Sequence, residues 1–461
     1  MDLFFSELLK ERGPLYQQIY SLIANYIITG RLKAGDRLPS KRALSTQLGV
    51  SVITIQGAYD MLCDEGYIIS RPRSGFYVQK VDTPKMAIQV LEKPVHIEKS
   101  EYKYDFRMNA VDRNSFPYKT WGRLMRETIL DGQDLLRRSD ARGDSVLRES
   151  LAQHLEQLRG VKCSPRQIFI GAGIEYLQML LCRIFDGYMF ALEDPCYPKL
   201  RKVLENDNRL YENIPLDKNG IMIDKLEESC AEIVCITPSH QFPTGVEMPI
   251  GQRSRLLKWA CGGNKRRYII EDDFGGEFDL DGIPARCMQG LDTNGRVIYM
   301  GSFSRILAPT IRIAYMILPF PLLEITQERF SAYSSTVSFF EQRALSRFIN
   351  EGYMLQHIRR TKNVLRRRRE LLFELICTIP EDRRPAIDLH TVSSHAVLYL
   401  KKGDALSFIH KANLCGVRVY NMADFYKNKK DTPKNCIVLG ISDISETQIK
   451  EAFCCIRDLF V

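Results

Sequence analysis

The chain has 461 residues, of which 45% are hydrophobic and 26% charged, and its formal net charge is +9. The length predicts two or three domains, and the composition excludes a wholly disordered chain and a collagen-like fibre. A net charge of +9 is small for a chain of this size, so charge alone does not establish nucleic-acid binding.

The cysteines and the N-terminal segment predict a cytoplasmic protein. There are 13 cysteines, an odd number without a C-x-x-C pair. This pattern favours free thiols in a reducing cytosol and argues against a metal site. The start, MDLFFSELLKERGP, reaches acidic residues before an apolar core could form, so we expect no signal peptide. No run approaches the ~18 apolar residues of a membrane span.

The first block, residues 1–79, has the pattern of three helices followed by a β-hairpin. Pro14 opens an apolar-periodic run that Gly30 closes, as expected for a helix. Ser40 caps a short helix over KRALSTQLG, and Ser51 caps a third helix over VITIQGAYDMLCDEG. The runs YIIS and GFYVQ, joined by RPRS, indicate two short strands. This order is that of a winged helix-turn-helix.

The turn before the third helix places the N-terminus of that helix outward, where a recognition helix meets the major groove. The motifs LPSKRALSTQLGVS, AYDMLCDEGYI and SGFYV resemble the GntR-type winged-helix domain. The resemblance implies that double-stranded DNA is bound by Ser40, Lys41, Arg42, Ser51, Val52, Thr54, Arg71 and Arg73. Many members carry arginine at the position of Val52, so the base preference should differ here. The alternative is a small helical domain without a nucleic-acid role.

Two further blocks follow the winged helix. Residues 80–104 mix Pro, Lys and Glu with isolated apolar residues, which predicts a linker. Residues 105–461 alternate helical and strand-like patterns, which predicts an α/β domain with a largely parallel sheet. The buried-strand candidates are QIFIGAG, MFALEDP, AEIVCITP, RYIIEDD, RVIYMGSF and IAYMILP. From about residue 340, a long helical stretch and the runs AVLYLKK, VRVYN and CIVLGIS predict a smaller C-terminal lobe.

Several motifs of this α/β domain lie at predicted strand ends. They are GAGIEYLQMLL, LEDPCYPKLR, TPSHQFPTG, YIIEDDF and GSFSRILAPTIRIAY. In this order they resemble the fold-type I aminotransferases, which depend on pyridoxal phosphate (PLP). Together with the winged-helix domain ahead of them, they make the whole chain resemble the MocR-type transcription regulators. That resemblance implies a head-to-tail homodimer that reads two DNA half-sites.

The resemblance also implies a cofactor site. Ala172 and Gly173 match the turn that cradles the phosphate, and Tyr197 matches the aromatic residue that stacks on the pyridine ring. Asp272 matches the aspartate that pairs with the pyridine nitrogen. Its neighbour Asp273 is an alternative, because successive strand residues face opposite sides. The phosphate-binding cluster corresponds to Ser302, Ser304 and Arg312.

Three positions depart from the family pattern. Arg305 occupies the position of the Schiff-base lysine, and a guanidinium, with a pKa of roughly 12 or more, cannot lose the proton that this chemistry requires. Phe274 stands where the family often has a tyrosine that bonds the cofactor's 3-hydroxyl. Val438 replaces the arginine that holds a substrate carboxylate in amino-acid-binding relatives. These departures predict no covalent PLP chemistry, no catalytic residue and no transaminase activity.

Three functions remain open at this point. The first is a DNA-binding regulator whose aminotransferase-like domain binds a small anionic effector, such as PLP or pyridoxamine phosphate held noncovalently by Asp272, Arg305 and Arg312. The second is a PLP-dependent aminotransferase with a fused DNA-binding domain. The third is a regulator whose C-terminal domain is only a dimerisation scaffold. The sequence favours the first, in which a ligand between the two lobes shifts them and the linker transmits the change.

Overall fold

Residues 14–81 and 102–460 are described by the computed structural model, except 109, 137–139, 263–265, 274, 279, 281–285, 388–392 and 430–431. Phe274 and most of the predicted linker therefore lie outside the described residues. The chain divides into two compact units, Met1–Ile97 and Glu98–Val461. Within the described ranges, no helix is both long enough and apolar enough to span a membrane.

In its described residues, 14–81, the first unit holds three helices and a two-stranded antiparallel hairpin: α1 Leu15–Ile28, α2 Lys41–Leu48, α3 Val52–Asp64, β1 Ile68–Arg71 and β2 Gly75–Val78. The hydroxyls of Ser40 and Ser51 accept hydrogen bonds from the backbone N–H groups of Ala43 (3.2 Å) and Thr54 (3.1 Å). Both serines therefore cap the helices that they precede. The buried face of α3 supplies Tyr59, whose hydroxyl donates to the backbone oxygen of Pro39. The winged helix-turn-helix order is confirmed.

The second unit alternates helices and strands. Its helices are α4 Tyr118–Asp131, α5 Ser145–Arg159, α6 Ile174–Ile184, α7 Pro198–Asn206, α8 Ile223–Glu228, α9 Ile250–Cys261, α10 Phe303–Ile306, α11 Phe320–Phe330, α12 Phe339–Asn350, α13 Tyr353–Cys377, α14 Ala405–Leu414 and α15 Glu446–Ile456. Its strands are β3 Tyr104–Asp105, β4 Ile168–Gly171, β5 Phe190–Asp194, β6 Tyr211–Asp217, β7 Gly220–Ile221, β8 Ile233–Ile236, β9 Tyr268–Asp272, β10 Val297–Ser302, β11 Ala314–Ile317, β12 Ala386–Ile387, β13 His395–Tyr399, β14 Val417–Arg418, β15 Tyr420–Asn421 and β16 Cys436–Gly440.

The large lobe is built on an eight-stranded sheet in the order β4-β11-β10-β9-β8-β5-β6-β7. The strands from β10 to β6 run parallel, whereas β11 is antiparallel to both of its neighbours and β7 is antiparallel to β6. All six strands predicted from the sequence are present. The sequence missed β6, because this strand is only half-buried and lacks a continuous apolar run.

The small lobe joins a four-stranded sheet, β12-β13-β16-β15, to the parallel pair β3 and β14. Two predicted boundaries are corrected here. Tyr104, assigned to the linker, is buried and pairs with Val417 of β14. The lobe does not begin near residue 340 either, because Leu345 of α12 packs in the core of the large lobe. The transition falls inside α13, where Leu365 belongs to the core of the large lobe and Leu372 to that of the small lobe.

Candidate functional site

The first unit presents most of its candidate DNA-binding residues to solvent at α2, at the start of α3 and on the hairpin. Six of the eight are exposed, and Lys41 and Thr54 are half-buried. Two of the cations are held by neighbouring rings. The Lys41 ammonium lies 5.1 Å from the ring centroid of Phe76, and the Arg71 guanidinium lies 4.7 Å from that of Tyr77. The hairpin thus orients both cations.

An exposed apolar pair begins α3. Val52 is 41% exposed, and Ile53, which the sequence did not single out, is 82% exposed. Both follow the N-cap Ser51, in the first turn of α3. An isoleucine this exposed is unusual unless it meets a partner, and apolar side chains at such positions can contact thymine methyl groups. The sequence could have indicated that Ile53 is exposed, because this residue lies off the apolar face of α3 that Ile55, Ala58 and Leu62 define.

In the second unit, Gly173 and Arg312 form one end of the candidate effector site. Gly173 precedes α6 with a φ of +97°, and a Cβ atom there would lie 1.9 Å from Nη2 of Arg312. The same Nη2 donates to Oε2 of Glu175 at 2.7 Å and to the backbone oxygen of Ala172 at 3.4 Å. The guanidinium therefore packs directly on the turn before α6. Backbone N–H groups and positive helix-dipole charge at such a turn favour an anion.

Glu175 completes this end of the site. It is half-buried, and its Oε1 lies 3.3 Å from Nζ of Lys199. Burial alone would raise the pKa of this carboxyl. The hydrogen bond from Arg312 and the nearby positive charges outweigh burial, so the pKa of Glu175 lies below its usual value. Glu175 is therefore a carboxylate at neutral pH.

Tyr197 and Asp272 lie together at the other end of the site. Both line a cavity of about 30 Å³, with Glu193, Cys235 and Phe242 among the other lining residues. Tyr197 precedes α7, and Asp272 ends β9. Burial, together with the negative charges of Asp273 and Glu175, raises the pKa of Asp272 to about 7. A cation close to Asp272 would restore its ionised form.

Asp273 occupies a different environment from its neighbour. Its Oδ2 lies 2.6 Å from Nε of Arg159, and the hydroxyl of Tyr299 donates to the same oxygen at 2.5 Å. Both side chains of the ion pair are 1% exposed. Burial opposes ionisation of Asp273, but Arg159 holds the pKa of this carboxyl below its usual value. Of the two adjacent aspartates, Asp272 lines the cavity and Asp273 is held in the interior.

Arg159 is a residue of this region that sequence reasoning missed. It ends α5 and also donates from Nη2 to Oγ of Ser239 at 2.7 Å. Ser239 belongs to the TPSHQFPTG loop, so one guanidinium links this loop to the end of β9. Arg159 and Asp273, the two partners of the ion pair, are 114 positions apart in the chain. The sequence around Arg159 therefore carries no local signal of this contact.

Arg305 lies in the single turn α10, directly after β10, and Ser302 and Ser304 beside it are half-buried. Its Nη2 donates to Oγ of Ser393 at 3.4 Å, and a Cβ on Gly275 would lie 1.8 Å from its Nη1. Burial lowers the pKa of Arg305 to about 10, against the opposing influence of Glu277 and Asp273. The guanidinium therefore remains charged at neutral pH.

Val438 is fully buried on β16, opposite Val397 of β13. It belongs to an apolar cluster in which Tyr197 packs from the edge: Phe242, Val397, Met422, Phe425, Cys436 and Val438. Val438 is thus part of an apolar contact between the lobes. In the described part of the chain, no group of three His, Cys, Asp or Glu side chains is arranged to hold a metal ion.

Comparison with known sequences assigns the first unit to a family and finds relatives that are similar over nearly the whole chain. Residues 15–78 match the family described as bacterial regulatory proteins, gntR family. The chain is 38% identical over 444 residues to the uncharacterized HTH-type transcriptional regulator YdeL of Bacillus subtilis, covering 95% of each chain. It is 30% identical to the probable rhizopine catabolism regulatory protein MocR of Rhizobium meliloti, covering 78% of this chain and 77% of the relative. It is also 30% identical to the HTH-type pyridoxine biosynthesis transcriptional regulator PdxR of Corynebacterium glutamicum, covering 82% of each.

Solved structures are similar to most of the chain. The kynurenine aminotransferase of Pyrococcus horikoshii aligns with a TM-score of 0.68 and 25% identity, covering 78% of this chain and 91% of that one. A multiple substrate aminotransferase from Thermococcus profundus aligns with the same TM-score at 24% identity, covering 79% and 92%. The chain therefore belongs to the MocR family of HTH-type transcription regulators, in which a GntR-type winged-helix domain precedes an aminotransferase-like domain.

Proposed function

We propose that this regulator senses a phosphorylated pyridine effector, PLP or pyridoxamine phosphate, held noncovalently in its second unit. The observation that carries the proposal is the pair of opposite charges at the two ends of the site. Arg312 packs on the turn at Gly173, and Asp272 lies in a cavity beside the ring of Tyr197. The name of one relative, PdxR, refers to pyridoxine biosynthesis, which supports an effector of this class.

The described residues fit such a group at both ends. Ala172, Gly173 and Arg312 would hold the phosphate with the hydroxyls of Ser302 and Ser304. Asp272 would pair with the protonated pyridine nitrogen, and this pairing would keep the carboxyl ionised despite its raised pKa. Tyr197 would pack on the ring. PLP itself supplies an aldehyde that reacts with free amines. Because Arg305 stays protonated, it would contribute positive charge and no nucleophile.

Transamination does not fit these residues. Arg305 stands where the fold-type I enzymes use a lysine, and Phe274 lacks the hydroxyl that often bonds the cofactor. Val438, at the position that would hold a substrate carboxylate, is buried among apolar side chains. A carboxylate placed there would lose its hydration without gaining a partner. The proposed effector is therefore the vitamer alone, without an amino-acid partner.

The first unit supplies the DNA contacts of this proposal. Arg42, Arg71 and Arg73, together with Lys41 and the hydroxyls of Ser40, Ser51 and Thr54, would contact phosphates and position the domain. Val52 and Ile53 would face base edges at the start of α3, with Ile53 favouring a thymine methyl. A head-to-tail homodimer would place two such domains on two half-sites. A dimeric mass in sedimentation equilibrium would support this part of the proposal, and a monomeric mass would contradict it.

The effector is tested by titrating the purified protein with PLP and pyridoxamine phosphate in a calorimeter. We expect both vitamers to bind with 1:1 stoichiometry per chain and to change the affinity for operator DNA. Borohydride reduction followed by peptide mass analysis should find no PLP adduct in the pocket of the wild type. In Arg305→Lys, an adduct at position 305 is expected, because lysine can lose its proton and attack the aldehyde.

Each alternative has its own signature in this experiment. A pocket adduct in the wild type, with transaminase turnover, would support the fused-enzyme alternative. Binding of neither vitamer, with DNA affinity unchanged by either, would support a purely structural dimerisation domain and overturn the proposal.

A further inference from the structure

Glu175 places a negative charge at the end of the site where an anionic phosphate is proposed to bind. It lies in the first turn of α6, two residues after Gly173. Its side chain is only 27% exposed, and its carboxylate is shared between Arg312 at 2.7 Å and Lys199 at 3.3 Å. Two cations that could neutralise an incoming phosphate, Arg312 and Lys199, are therefore already paired with a group of the protein.

The geometry makes Glu175 and a phosphate alternative partners of Arg312. The guanidinium is pressed against Gly173, where a Cβ would meet Nη2 at 1.9 Å and the guanidinium carbon at 2.6 Å. The backbone of Arg312 adopts the left-handed conformation, with a φ of +52°, which directs the side chain to this turn. A phosphate at the N-terminus of α6 would meet the same guanidinium, so it must compete with the Glu175 carboxylate.

We propose that Glu175 acts as an internal competitor of the effector phosphate and sets the concentration at which this regulator responds. The inference rests on the effector site of the proposed function. Like charges repel at short range, and a partly buried site screens them less than water does. Glu175 therefore weakens binding of phosphorylated ligands and leaves unphosphorylated ligands little affected.

The competition also connects the phosphate end to the ring end. When a phosphate takes Arg312, Glu175 retains Lys199, which belongs to the first turn of α7. The Lys199 ammonium lies 5.9 Å from the ring centroid of Tyr197, at the N-terminus of the same helix. Arrival of the phosphate thus redistributes charge next to the aromatic residue that is proposed to contact the ring.

The test compares Glu175→Gln with Glu205→Gln in the full-length protein. Glu205 is a matched control, because it also lies between two lysines, Lys202 at 3.6 Å and Lys427 at 3.3 Å, but outside the proposed site. Calorimetry with pyridoxamine phosphate and with pyridoxamine separates the phosphate from the ring. We expect Glu175→Gln to lower the Kd for pyridoxamine phosphate about tenfold and to change that for pyridoxamine far less. Glu205→Gln should change neither.

A second measurement tests whether the effect passes through Arg312. In an Arg312→Gln background, adding Glu175→Gln should improve the affinity for pyridoxamine phosphate by a smaller factor than in the wild-type background, because only the direct repulsion remains, and a double-mutant cycle measures the difference. The inference is overturned if the wild type binds pyridoxamine phosphate and Glu175→Gln binds it equally or more weakly. If the wild type and both single glutamine variants bind no pyridoxamine phosphate, the proposed function fails, and the inference fails with it.

Discussion

At the residue scale, two adjacent aspartates have opposite properties. Asp273 points into the interior, where Arg159 and Tyr299 stabilise its negative charge. Asp272 points into the cavity beside Tyr197, and its pKa is raised to about 7. The difference arises because neighbouring strand residues face opposite sides of a sheet. Asp272, whose ionisation is disfavoured by burial, is the aspartate that a cationic ring nitrogen would stabilise.

Asp272→Asn should stabilise the ligand-free protein at high pH and weaken vitamer binding. The folded-state pKa of about 7 lies above the usual value near ~4, so ionisation costs stability progressively between those pH values and fully above pH 7. We expect the variant to gain about 2 kcal/mol at pH 8 and almost nothing at pH 4.5. Urea unfolding at the two pH values measures this gain, and calorimetry measures the loss of affinity for PLP.

Asp273→Asn is the matched control, and we expect it to lower the free energy of unfolding instead of raising it. It leaves Arg159 buried without its carboxylate partner, which should cost about 3–5 kcal/mol at pH 8. An Asp272→Asn variant that is less stable than the wild type at pH 8 would contradict the assignment of roles to the two aspartates.

At the scale of the element, the winged helix is the part most fully determined by local sequence. Ser40 and Ser51 cap α2 and α3, and Gly49 ends α2 in the left-handed conformation with a φ of +65°. Each of these signals acts within four residues of its helix end, so the sequence alone places both helices. The caps fix the N-terminal ends of both helices, where Arg42 of α2 and Ile53 of α3 are exposed to solvent.

Arg42→Ala should weaken operator binding about tenfold at moderate salt. If Arg42 contacts a phosphate, the slope of log affinity against log salt should also become shallower by about one unit, because one fewer counterion is released. Arg255→Ala, which removes the same charge from α9 in the other unit, serves as the control and should change neither. Electrophoretic or anisotropy titrations at several salt concentrations give both values. Unchanged affinity in Arg42→Ala would refute this contact.

At the scale of the whole molecule, the second unit offers contacts between its two lobes through which a ligand could act over distance. Its two lobes meet at Phe242, whose ring lies 5.3 Å from those of His395 and Phe425 and 5.7 Å from that of Tyr197. Beside it, Nε2 of His395 lies 2.8 Å from the backbone oxygen of Pro243. Burial lowers the pKa of His395 to about 4, so this link stays neutral at physiological pH. We therefore expect a change at Tyr197 to reach the small lobe through these packed aromatic rings.

Phe242→Ala should loosen this contact between the lobes. Removing a ring that is 2% exposed leaves a cavity, and we expect a loss of about 3 kcal/mol in the unfolding free energy of the second unit. The effect of PLP on DNA affinity should shrink as well, because coupling needs a ligand that favours one arrangement of the lobes. Phe373→Ala on α13 is the control, since Phe373 is 36% exposed and its loss should be nearly neutral. If PLP changes the DNA affinity of Phe242→Ala as much as it changes that of the wild type, the two lobes do not communicate through Phe242.

Prediction from sequence succeeded where the signal is local and failed where distant segments meet. The six buried strands of the large sheet could be identified because each is a short apolar run. The boundary of the small lobe could not, because α13 is one continuous helix and only packing decides that Leu365 and Leu372 belong to different cores. Tyr104 was missed for the same reason, since its partner Val417 is more than three hundred residues away.

The sequence by itself determined the order of the domains and the caps of α2 and α3, and it placed Arg305 and Val438 at the positions on which the proposal of noncovalent binding depends. These are matters of residue type and short spacing. Only the tertiary structure decided that Asp272 lines the cavity while Asp273 pairs with Arg159, and that Glu175 is paired with Arg312. The physical reason is that the environment of a charge depends on which distant groups the fold brings within a few ångströms of it, and local sequence carries no record of those groups.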